Sequence, residues 1–151
     1  NMDSQVTNKV VQEWIEAGRW FKDVKIVRPE VTYKNSRFDL YVEYEEKKAF
    51  IEVKGVTLEL DDVVLFPDAP TERGVKHLQE LISCVRQGYE ACVLFIIQME
   101  KVQYFTPNHV THPAFGQALK EASLAGVDIR AVDCIVTEDA VIPNSEVEIR
   151  L

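Results

Sequence analysis

The stretch RFDLYVEY, Arg37 to Tyr44, is followed after four polar residues by AFIEVKGVTL, Ala49 to Leu58. In the first, Phe38, Leu40 and Val42 alternate with Asp39, Tyr41 and Glu43, the period of a strand with one buried side. The second is apolar nearly throughout, so its two charges, Glu52 and Lys54, need a reason to be there. Glu45–Glu46–Lys47–Lys48 between them reads as a hairpin turn. Upstream, Val24–Lys25–Ile26–Val27 leads past Pro29 to Val31–Thr32–Tyr33, so this part of the chain is predicted to be a meander of antiparallel strands.

Outward from the meander, helices and strands begin to alternate. Asp3 to Phe21 is predicted as a first helix: Val6, Val10, Val11, Trp14 and Ile15 recur at helical spacing, Gly18 suits its end, and Trp20 and Phe21 follow as apolar anchors. Phe66–Pro67–Asp68–Ala69–Pro70 is a stiff loop. Thr71 then caps a helix that runs to about Gln87, with Leu78, Leu81, Ile82 and Val85 as its apolar stripe. Gly88 ends that helix, and Ala91 to Ile97 has the unbroken apolar character of a strand buried on both faces. A helix from about Pro113 to Ala125 and a strand from Asp128 to Val136 close the pattern. The order α-β-β-β-α-β-α-β predicts one α/β domain over residues 3–151, a mixed sheet flanked by helices.

Composition narrows the function classes. The chain has 151 residues, 46% of them hydrophobic, enough for one core. No run approaches the ~18 apolar residues of a membrane span, and the start lacks a secretory pattern, so no membrane partner and a cytoplasmic location are expected. Cys84, Cys92 and Cys134 stand singly in apolar surroundings and read as buried free thiols. The net charge of −8 argues against a broad basic surface for nucleic acid. It is compatible with a carboxylate cluster that is itself negative until a divalent cation binds.

Glu52 and Lys54, two apart on one strand, share a face, and a hairpin partner can bring Asp39 beside them. Two acids and an ammonium converging on an apolar sheet suit phosphodiester hydrolysis. Hard oxygen ligands hold Mg2+ or Mn2+, the metal polarises phosphate, and lysine orients water or offsets growing charge. The plain alternative is a solvated E-x-K face carrying a weak cross-strand ion pair. Thr71, Arg73, Lys76 and His77 open the helix after this strand, where free N–H groups and cations favour phosphate; capping and ordinary surface charge would equally place them there. Asp68 reads as a turn former, and Gln98 as a polar exit from the apolar strand. His109 and His112 read as surface histidines.

The order of these elements is that of the PD-(D/E)XK nuclease superfamily. The segments Asn35–Asp39 and Ile51–Leu58, and above all FPDAPTERGVKHL from Phe66 to Leu78, resemble the sugar fermentation stimulation protein family over most of the chain. The resemblance implies a restriction-endonuclease-like fold with Asp39, Glu52 and Lys54 as catalytic residues, and Mg2+ or Mn2+ held by Asp39, Glu52 and the Val53 carbonyl. Glu13, ahead of Glu16, is the further acid that the superfamily often draws from its first helix. Arg73, Lys76 and His77, with Thr71, would contact a nucleic-acid partner, DNA by the family's association with DNA binding and sugar-metabolism genes. The rival expectation is a DNA-binding or regulatory module that keeps the fold without catalysis; a protein-binding scaffold is a third. Members of the family carry an OB-type domain ahead of this one, so the chain is read as the nuclease-like domain alone, excised or from a shortened homologue.

Overall fold

The structure is a computed structural model and describes residues 4–151; Asp3, where the sequence reading starts the first helix, lies outside them. Helix α1 (Ser4–Glu16) buries Thr7, Val11 and Ile15, one residue per turn along a single face. It stops five residues before the predicted Phe21, because Gly18 takes a left-handed φ of +75° that a helix cannot continue through. Trp14, Trp20, Phe21 and Tyr44 then pack ring against ring at 5.7, 4.5 and 4.6 Å, seating the chain at the start of the sheet.

Three antiparallel strands follow, β1 (Val24–Tyr33), β2 (Ser36–Tyr44) and β3 (Lys47–Val56). Pro29, expected to separate two short segments, lies inside β1, which tolerates it as the edge strand of its sheet. The turn between β2 and β3 is tighter than predicted. Glu45 and Glu46 alone make it, both at positive φ, so Lys47 and Lys48 already belong to the strand.

The short strands β4 (Leu58–Leu60) and β5 (Val63–Phe66) precede helix α2 (Glu72–Arg86) and strand β6 (Glu90–Ile97). Strand β7 (Tyr104–Pro107), helix α3 (Pro113–Ala125) and strands β8 (Asp128–Val136), β9 (Val141–Glu146) and β10 (Glu148–Ile149) complete the chain. The six-stranded sheet runs β1-β2-β3-β6-β8-β9, with β3, β6 and β8 mutually parallel, and a four-stranded sheet runs β10-β7-β5-β4. The predicted mixed sheet with flanking helices is therefore present. The second sheet and β9 were not predicted, because their strands are short and the β4–β5 turn, Asp61–Asp62, takes positive φ without the glycine that marks such turns.

The sheet separates two cores. Leu78, Leu81 and Ile82 of α2 and Phe115 and Leu119 of α3 pack with Phe50, Val93, Phe95 and Ile97 on one face. Val11 and Ile15 of α1 cover Leu40, Val42, Ile51, Leu94 and Ile96 on the other. β6 contributes to both, as its unbroken apolar run predicted. One expectation fails here. Phe38 lies with Phe50, ring centroids 4.9 Å apart, in the core beneath α2, whereas Leu40 and Val42 lie beneath α1. Strict alternation breaks because β2 pairs with β3 only as far as Leu40↔Ile51 and then leaves it, while β3 continues beside β6 to Val56↔Ile97.

Candidate active site

The point where β2 leaves β3 is where the three sequence-selected residues meet. Asp39 is the first β2 residue without a β3 partner, and side chains replace the lost ladder. The Val53 N–H donates to Asp39 Oδ2 at 2.8 Å, and the Asp39 N–H donates to Glu52 Oε1 at 3.2 Å. This reciprocal pair ties each carboxylate to the other strand's backbone. Both polar groups of a strand residue leave by the same edge, so the Val53 carbonyl faces the gap that β2 opens.

Glu52 is 2% exposed, a charge inside the α2-facing layer between Phe50 and Val56. A carboxylate so placed requires partners. His77 Nδ1 stands 2.9 Å from Glu52 Oε2, Lys54 Nζ stands 3.5 Å from the same oxygen, and Lys54 Nζ and His77 Nδ1 are 2.9 Å apart. The imidazole arrives from α2, on which Arg73, Lys76, His77 and Glu80 recur at helical spacing along one side while Leu78 and Leu81 enter the core. Asn8 of α1 completes the group, its Nδ2 donating to Asp39 Oδ1 at 3.1 Å.

Burial raises the Asp39 carboxyl above the usual 3.8, and the neighbouring Glu52 charge raises it further; the Val53 N–H, the Asn8 amide and the Lys54 ammonium oppose them and lose. The environment of Asp39 thus disfavours its own negative charge until some cation is supplied. Among the described residues no group of three or more His, Cys, Asp and Glu side chains has a metal-holding arrangement, so a cation here would rely on this carboxylate pair with backbone or water oxygens.

The pair opens into a cleft of about 560 Å³ whose walls include Arg37, Arg73, Lys76 and His77. Arg73 and Lys76 are exposed there; Arg37 is engaged by Glu30 at 3.1 Å, and Glu80 accepts from Ser36 Oγ at 2.8 Å. Other selected residues lie elsewhere. Thr71 is the helix cap, its Oγ1 accepting from the Gly74 N–H at 2.9 Å, and it does not line the cleft. Glu13 is exposed and also does not line it, for α1 buries the Thr7–Val11–Ile15 face and Glu13 lies about 200° around from Val11. The helix residue that reaches Asp39 is Asn8, one turn before Gln12 and three residues before Val11, a spacing that could have selected it. Asp68 is exposed, and Gln98 sits beside Gly55, away from the carboxylates. His112, expected at the surface, is partly buried and accepts the Thr71 N–H at 3.0 Å, while Asn108 donates to the Pro67 carbonyl at 3.0 Å. These two contacts fix the Phe-Pro-Asp-Ala-Pro loop, and through it the start of α2.

Residues 5–140 match the family model described as the sugar fermentation stimulation protein RE domain. The chain belongs to the sugar fermentation stimulation protein family. Family homologues from Clostridium beijerinckii and Ruminiclostridium cellulolyticum are 63% and 54% identical over 93% and 100% of this chain, which spans 62% and 67% of their lengths. The chain thus spans about two thirds of the curated relatives that it matches. The structure of the Pyrococcus furiosus SfsA in complex with Ca2+ superposes with a TM-score of 0.91 at 29% identity, over 99% of this chain and 66% of that one. The family's shared architecture accounts for the mixed sheet and flanking helices found here. No helix among the described residues is long and apolar enough to cross a membrane.

Proposed function

We propose that this domain of the sugar fermentation stimulation protein family hydrolyses phosphodiester bonds in nucleic acid, DNA by expectation, with Mg2+ or Mn2+ held by Asp39 and Glu52. The observation that carries this reading is the cross-strand lock of Asp39 and Glu52 at the point of strand divergence, with Lys54 beside it. The donor set fits a hard divalent cation: four carboxylate oxygens, an Asp39 whose charge is disfavoured by burial and by Glu52, and the Val53 carbonyl edge facing the same gap. Such an ion would supply Lewis-acid polarisation of the phosphoryl oxygen and a more acidic water. The chain's own groups do the rest. Asn8 and the Val53 N–H fix the Asp39 carboxylate, and the Lys54 ammonium stands where it can orient the attacking water or stabilise charge growing on phosphate. Arg73 and Lys76, exposed at the cleft wall, bind the phosphates that flank the scissile one.

A nucleic-acid-binding module without catalysis is the second reading. In its favour, all four oxygens of the carboxylate pair already have a donor or cation of the protein itself within 3.5 Å. Incubation of single- and double-stranded DNA and RNA with Mn2+ separates the two. Cleavage that Lys54→Ala lowers by about 100-fold or more supports hydrolysis, and retardation of uncut DNA in a gel refutes it.

A further inference from the structure

We propose that His77 is a positioning residue whose Nδ1, lodged between the Glu52 carboxylate and the Lys54 ammonium, stops the lysine from closing onto the carboxylate. The inference rests on the hydrolytic reading above and replaces the expectation that His77 contacts phosphate.

Glu52 and Lys54 share one face of β3 and are little exposed, at 3% and 17% of their side chains. A carboxylate and an ammonium so sheltered normally close to about 2.7–2.9 Å. Here they stop at 3.5 Å, and the ring nitrogen takes the close approach instead, 2.9 Å from each. The wedge is firm because α2 carries it: Leu78 and Leu81 beyond it are buried, and the ring itself is 13% exposed.

The chemistry of one nitrogen explains the consequence. Nδ1 carries either a proton or a lone pair, so it donates to Glu52 or accepts from Lys54, and the other partner is left available. A direct Glu52–Lys54 ion pair would engage both at once. It would offset the charge that holds a cation and remove the lysine from the reacting phosphate. Arg73 and Lys76, on the same side of α2 but exposed, are the phosphate contacts; His77 acts through its neighbours.

The test compares His77→Ala, His77→Gln and His77→Asn in the intact chain, by Mn2+ calorimetry and by kcat and KM on DNA. The Asn amide falls where Nδ1 lies, whereas the Gln amide reaches toward Nε2. Mn2+ affinity and kcat are expected to fall by about 10- to 100-fold in the Ala and Gln variants, with KM unchanged and with Asn close to wild type. A raised KM at unchanged Mn2+ affinity, or an Asn variant as impaired as Ala, overturns the proposal. Nitrogen NMR of the metal-free protein provides a readout that needs neither metal nor cleavage. Lys54→Met and Glu52→Gln should each move the His77 Nδ1 resonance, and a stationary resonance in both refutes the wedge. Movement in a protein that binds no Mn2+ would leave the wedge standing and remove the hydrolytic reading.

Discussion

Asp39→Asn tests whether the carboxylate pair is built for a cation rather than for the fold. In the metal-free protein the substitution removes a half-buried charge that faces Glu52 and keeps one acceptor for the Val53 N–H or the Asn8 amide. One charge-assisted hydrogen bond is lost, typically about 1.5–3 kcal/mol. Against this stand the burial of the charge and its repulsion by Glu52, which together outweigh the favourable partners, since the carboxyl is raised above 3.8. The metal-free variant should therefore melt no lower than wild type within about 1 kcal/mol, or about 2–4 °C for a chain of this size. With Mn2+ at 100 times its dissociation constant, wild type should gain about 2.7 kcal/mol, or about 5–11 °C, and the variant none of it. Differential scanning calorimetry with and without Mn2+ reads both arms. A variant that melts far below wild type without metal would show that Asp39 is a structural carboxylate. A metal-induced rise that survives in the variant would show that Asp39 is not a ligand.

The same raised carboxyl sets a pH dependence. A folded-state value above the unfolded 3.8 favours the fold below that pH, and the contribution is lost as pH rises through the raised value. The stability of wild type minus that of Asp39→Asn should fall across this window and level off above it; a difference that stays flat in acid melts contradicts the shift. Thr71→Ala should cost about 1 kcal/mol by removing the cap of α2 while leaving KM for nucleic acid unchanged, so a raised KM at unaltered stability would return Thr71 to the phosphate site. Burial pushes the thiols of Cys84 and Cys134 up to about 11 and about 12, and Cys92 also goes up. All three are expected to ignore a disulfide reagent at pH 8 in the native protein and to react after denaturation; prompt native labelling would contradict their burial.

The sequence by itself determined the three helices, the main strands of the six-stranded sheet and the shared face of Glu52 and Lys54, but not β9 or the second sheet. Those signals are local: a two-residue period puts both side chains on one face, an unbroken apolar run marks a central strand, and Thr71 and Gly88 punctuate a helix. The FPDAPTERGVKHL string likewise carries the family resemblance that the family match over residues 5–140 bears out. Where β2 parts from β3 was not legible, because strand divergence is decided by pairing among distant segments and leaves no period in either strand. That divergence moved Phe38 into the core opposite Leu40 and turned Asp39 onto the Val53 backbone. The role of Asn8 over Glu13, and the seat of His77 between Glu52 and Lys54, follow from how α1 and α2 rotate against the sheet. A helix's phase against its neighbours is a property of packing. The apolar stripe predicts it only to within a residue or two, and on α2 the exposed Lys76 directly precedes His77, which is seated between Glu52 and Lys54.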